Sequence, residues 1–116
     1  MQEVVTGKNA EKIAAEFLKE NSLTIICKNY RIDGGEIDII ARDGVHWVFC
    51  EVKYRHHESF AKVVEQLKPQ QCRRVRHTAR HYLLSNHIDE HTTAIRFDVI
   101  AIVGQPKSIE WFKDAF

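Results

Sequence analysis

The chain has little that would break or staple a backbone. Two prolines and five glycines in 116 residues leave no room for a flexible linker, and no repeat or low-complexity stretch divides it. Its three cysteines, Cys27, Cys50 and Cys72, are odd in number, far apart and without C-x-x-C spacing. That excludes a disulfide framework or a zinc knuckle and fits a reducing cytoplasm. Neither sign of charge dominates: 17 Lys and Arg face 16 Asp and Glu, a formal net charge of +1. A nucleic-acid partner must then be met by a local patch, because the bulk field is too weak. No apolar run approaches the roughly 20 residues of a membrane span, and "MQEVVTGKNAEK" lacks the apolar segment of a signal peptide. A soluble cytoplasmic protein without a membrane partner is expected.

What is present is a globular composition, 44% hydrophobic and 28% charged, enough for one domain over residues 1–116. The spacing predicts a first helix from about Gly7 to Asn21, with Thr6 as N-cap and Ala10, Ile13, Ala14, Phe17 and Leu18 as its buried stripe. Glu11, about 100° round from Ala10, lies at the border of that stripe. "LTIICKNY" reads as a strand, and a long helix after Pro69 carries Cys72, Val75, Ala79, Tyr82 and Leu83 on one face. "AIRFDVIAIV" is apolar on both faces, as a central strand is, and "IEWFKDAF" closes the chain as a short strand or packed tail. The order is α-β-β-β-α-β, a mixed-sheet α/β domain.

The informative stretch is "GEIDIIARDGVHWVFCEVKYR". Two β-rich runs flank an Asp-Gly pair, a strong hairpin signal, yet Glu36, Asp38, Glu51 and Lys53 are embedded in them. With Asp43-Gly44 as a two-residue turn, Asp38 falls opposite Phe49 and Glu36 opposite Glu51. All four charges then share one face. Asp38 and Glu51 become diagonal neighbours about 7–8 Å apart. Two such carboxylates repel unless a proton or cation lies between them. Mg²⁺ takes hard oxygen ligands of this kind, and a lysine two residues beyond one of them can orient the attacking water or balance phosphate charge. Spacing alone leaves two readings open: a metal-assisted phosphodiesterase site, or an ion network at a solvated strand end.

"GKNAEKIAAEFL", "GGEIDIIARDG" with "VFCEVKYR", and "RFDVIAI" with "IEWFKDAF" together resemble the YraN family of small bacterial proteins. That family is a branch of the PD-(D/E)XK nuclease superfamily, similar to Holliday junction resolvases. The resemblance spans about Gly7 to Phe116. It implies a restriction-endonuclease-like core, a mixed central sheet flanked by helices in the order already read. By position, Asp38 and Glu51 match the metal-binding acids, Lys53 the signature lysine and Glu11 the first-helix glutamate. Ile37 stands where the superfamily name has proline, with Glu36 before it as a supporting acid. Gln71 stands early in the second helix, where many relatives carry lysine.

Opposite the apolar stripe of that helix, "RRVRHTARH" gathers Arg73, Arg74, Arg76, His77, Arg80 and His81, with Lys62 and Lys68 upstream. Such a patch suits phosphate contacts that position without reading sequence; a solvated helix face is the plainer alternative. Among seven histidines, His77 and His81 have i, i+4 spacing but no HExxH motif. His56 and His57 follow the charged strand and could line a substrate entrance. Surface or hydrogen-bonded roles are the simpler expectation for all four, as core positions are for Trp47 and Phe49, and a core ion pair for Arg96 and Asp98. The function expected is Mg²⁺- or Mn²⁺-dependent hydrolysis of DNA, branched or single-stranded. Asp38 and Glu51 would hold the metal, with Glu11 and Lys53 also catalytic. The phosphate contacts would come from Arg73, Arg74, Arg76, Arg80 and Lys68. The alternative is a nucleic-acid-binding accessory protein with this fold and little turnover. Self-association into a homodimer is left open.

Overall fold

The computed structural model describes residues 4–57 and 67–116; Lys62 lies outside them. The elements run α1 (Ala10–Glu20), β1 (Thr24–Ile32), β2 (Gly35–Asp43), β3 (His46–Arg55), α2 (Pro69–Ser85), β4 (Ile95–Val103) and β5 (Ser108–Phe112). The strands form one sheet in the order β1-β2-β3-β4-β5. Among the described residues only β3 and β4 pair in parallel, and α2 lies in the long crossover that a parallel pair requires.

Each helix covers one face of the sheet with its predicted stripe. Ala10, Ile13, Ala14 and Leu18 of α1 pack with Ile39, Ala41, Val48, Cys50, Ile100 and Ile102. On the other face Val75, Ala79, Tyr82 and Leu83 of α2 pack with Ile37, Ile40 and Phe49. Regular helix begins at Ala10, three residues later than Gly7, because the chain is capped first as a turn. The Asn9 amide donates to Thr6 Oγ1 at 3.3 Å, and the Thr6 amide donates to Asn9 Oδ1 at 2.7 Å, a reciprocal exchange of the capping-box type. The α2 helix meets β2 closely at Gly35, where any Cβ would collide with the buried Thr78 side chain.

The hairpin register differs from the predicted one. Asp43 pairs with His46, so the turn is Gly44-Val45, and the ladder runs from there to Ile39 opposite Cys50. Gly44 takes φ +59 at the first central position, as a II′ hairpin turn requires. Asp43 remains in the strand, ion-paired to Arg96 at 3.0 Å. The shift is two residues, so the faces are kept, but Asp38 now stands in line with Glu51 itself.

The C-terminal segment is both a strand and a packed tail. After β5 pairs with β4, the Ala115 amide donates to the Phe97 carbonyl at 2.7 Å, and Phe116 lies against Phe97 at 5.4 Å between ring centres. Asp98, fully buried, accepts bonds from Arg96, the Trp111 indole and the Asp114 amide at 2.8–2.9 Å. Arg96 and Asp98 thus form the expected core ion pair.

Candidate metal centre and nucleic-acid interface

The site begins where the β2–β3 ladder stops. Ile39 and Ile40 pack into opposite layers, as strand alternation demands, but Ile37 lies in the same layer as Ile40. Strict alternation therefore fails at Asp38. Beyond Ile39 and Cys50 no further pair of the β2–β3 ladder forms among the described residues. The Asp38 side chain bridges the opening, its Oδ2 accepting the Val52 amide at 2.8 Å. One backbone donor of β3 is thus satisfied by a carboxylate rather than by a neighbouring strand.

Four acids converge on this opening. One carboxylate oxygen from each of Glu11, Glu36 and Asp38 lies within 4.8 Å of the others. Glu51, buried, receives Gln71 Nε2 at 2.9 Å and Lys53 Nζ at 3.8 Å, both on Oε2. Burial, then the charge of Glu51, raises the Asp38 carboxyl to about 7; the Val52 amide opposes this, and Glu11 adds to it by charge and by a hydrogen bond. Burial also raises Glu51, which Lys53 and Gln71 hold down while Glu36 and Glu11 push up. With three other acids about it, Asp38 is pushed toward its protonated form, and a cation among these oxygens would relieve the same repulsion.

The donor set fits a hard divalent cation. All four groups offer carboxylate oxygen, the ligand Mg²⁺ and Mn²⁺ prefer. The closest three, within 4.8 Å of one another, would draw in somewhat to meet one Mg²⁺ at about 2.1 Å. Of the predicted pair, Asp38 belongs to this closest group and Glu51 stands beside it. Glu36, expected only as support, is a full member. The cleft in front measures about 640 Å³ and is lined by Arg31, Glu36, Asp38, Glu51, Gln71 and Arg74, among others.

The basic residues of α2 divide between two sides of the helix. Arg74 lines the acidic cleft. Arg76 faces the other way, its guanidinium 5.9 Å from the Phe97 ring centre and 5.8 Å from that of Phe116. Arg80 is paired to Glu90 at 3.0 Å. Arg73 and Lys68 are exposed. His81 shares a 2.7 Å hydrogen bond with the Tyr30 hydroxyl; His56 lies 3.3 Å from the Tyr54 hydroxyl and edge-on to His57. Phe49 is core, and Trp47 packs at the edge of the same cluster. Burial pushes the Cys50 thiol up, which makes it inert as a nucleophile.

Arg31 and Gly35 line the cleft, and the sequence reading passed over both. A second Asp-Gly pair, Asp33-Gly34, makes the β1–β2 turn, and it sets Arg31 opposite Glu36. Their side chains meet at 3.3 Å. The signal was available, since a two-residue turn at that pair places the arginine directly.

A mixed five-stranded sheet with one helix on each face, split to admit four acids, defines an α/β protein with an α-β-β-β-α-β core. The chain belongs to the Uncharacterised protein family UPF0102, whose family model matches residues 10–102. It is 81% identical over 116 residues to a UPF0102 protein of Idiomarina loihiensis, with both chains fully covered. A UPF0102 protein of Shewanella halifaxensis is 42% identical over 110 residues, covering 95% of this chain and 93% of that protein. One from Aliivibrio fischeri is 38% identical, covering 94% and 89%. No helix among the described residues is long and apolar enough to cross a membrane.

Proposed function

We propose that this protein is a metal-dependent endonuclease that hydrolyses phosphodiester bonds of DNA. The observation that carries the reading is the gathering of Glu11, Glu36, Asp38 and Glu51 at the β2–β3 opening, with Lys53 held against Glu51. Lys53 meets Glu51 and Arg31 meets Glu36, but among the described residues the ion pairs leave Asp38 with no cationic partner, inside a cleft and beside three other acids. A bound Mg²⁺ or Mn²⁺ would supply Lewis acidity toward the phosphate and would activate water. Asp38 and Glu51 would hold it, with Glu11 and Glu36 completing the oxygen set. Lys53, two residues past Glu51 on the same strand, would orient the attacking water or stabilise charge on the phosphate oxygens. Asp38 is fixed by the Val52 amide, so its second oxygen is aimed without cost at the moment of reaction.

The second reading, a nucleic-acid-binding accessory protein with little turnover, is favoured by Gln71. The residue bonded to Glu51 from α2 brings an amide and no positive charge, so one source of phosphate stabilisation is weaker. A panel of duplex, single-strand, flap and four-way-junction DNA, with RNA controls, separates the two in Mg²⁺ or Mn²⁺. Scission that requires the cation and is lost in Asp38→Asn supports the enzyme. Binding without scission on every substrate supports the accessory role.

A further inference from the structure

We infer that the DNA backbone enters the site between Arg31 and Arg74, and that these two arginines, rather than Arg76 and Arg80, clamp its phosphates. This rests on the reading of the cleft as a phosphodiesterase site. A cleft lined by Glu36, Asp38 and Glu51 repels a polyanion unless cationic groups stand at its mouth. Arg31 and Arg74 are the arginines that line it, one from the end of β1 and one from α2. The Arg31 side chain is 71% exposed, and Glu36, a member of the acid cluster, draws its guanidinium toward the opening at 3.3 Å. Guanidinium forks match phosphate oxygens in pairs, so two of them lining one cleft can each take a phosphate of the same strand.

The helix that supplies Arg74 excludes its other arginines from the same task. Arg76 is about 200° round the helix from Arg74. Its guanidinium lies over the Phe97 and Phe116 rings, and Arg76 and Arg80 line a separate pocket with Leu83, Glu90 and Ile95 rather than the acidic cleft. Below Arg74, His77 and His81 continue the same stripe at i+3 and i+7, and His81 joins Tyr30 of β1. The track from the acids therefore follows the seam between β1 and α2 and leaves the β4 side of the helix uncovered.

The test is binding of a fluorescent DNA duplex in Ca²⁺ at several salt concentrations, with strand integrity checked on a denaturing gel. Arg31→Gln with Arg74→Gln removes two phosphate contacts. The slope of log K against log salt should shrink by about 1.8, and affinity should fall roughly 10–100-fold at 0.1 M salt. Arg31→Lys with Arg74→Lys should restore most of that slope. Arg76→Gln with Arg80→Gln should leave slope and affinity within about twofold; Arg80→Gln alone serves if the pair unfolds. The reverse pattern, with loss at Arg76 and Arg80 and none at Arg31 and Arg74, overturns the clamp and leaves the nuclease reading standing. A wild-type protein that binds no DNA at any salt overturns both.

Discussion

Asp38 and Asp98 are both carboxylates set into the sheet, one on each side of β3, and their surroundings are opposite. Asp98 is fully buried with a guanidinium, an indole and a backbone amide all donating to it. Asp38 has one backbone donor and three other acids around it. Burial of charge is tolerated when the charge is paired and hydrogen-bonded, and costs heavily otherwise. Asp98 meets that condition and ties β4 to β5 and to the C-terminal tail. Asp38 meets it only with a proton or cation added, which is why the proposed function rests on it.

The comparison can be broken most severely at Asp98. Asp98→Ala strips the half-buried Arg96 of one of its two carboxylate partners and leaves the Trp111 indole and Asp114 amide without their acceptor, and should cost about 3–5 kcal/mol in urea unfolding. Asp38→Asn should leave stability unchanged or raise it in EDTA, since it removes a repelled charge. Equal losses at the two positions would erase the distinction. Next in size is Lys53→Ala, which should lower cleavage about 10²–10³-fold with metal binding retained. Unfolding of that variant would instead make the lysine a structural partner of Glu51.

A smaller effect is expected from the cation. At ten times its Kd, Mn²⁺ should stabilise the protein by about 1.4 kcal/mol, and Asp38→Asn with Glu51→Gln should abolish the response. A melting temperature indifferent to Mn²⁺, with calorimetry also silent, would count against the centre. A further comparison concerns pH. The folded Asp38 carboxyl, at about 7, lies above its ordinary 3.8, so between those values the folded state binds the extra proton. Stability in EDTA should therefore fall as pH rises from about 4 to 7 and then level off. Saturating Mn²⁺ should flatten the fall, because cation and proton compete for the same oxygens. Urea unfolding of wild type and Asp38→Asn across that range measures it; identical pH profiles for the two would remove Asp38 as the source.

Much of this was legible because it is local. The stripes of both helices are read from spacing alone, and every buried position predicted on α2 is buried. Hairpin geometry grouped Asp38, Glu51 and Lys53, family resemblance added Glu11, and the structure brings them together at one opening. Non-local choices stayed hidden. Whether Asp43 sits in a turn or a strand is bound up with Arg96, more than fifty residues on. Which arginines of α2 are already engaged depends on Glu90 and Phe116, which no helical periodicity can show. The slip at Asp38 is the same kind of fact: the two layers, not the strand, decide where Ile37 goes.

The contact between Gly35 and Thr78 makes α2 a lever with a fixed fulcrum. Arg74 lies one turn from it and Gln71 two, roughly 6 Å and 10 Å along the axis, and both overhang the acids. A methyl group at position 35 would lift that arm while leaving every charge in place. The width of the cleft, and with it the girth of whatever can reach Asp38, is therefore gauged by a residue that has no side chain.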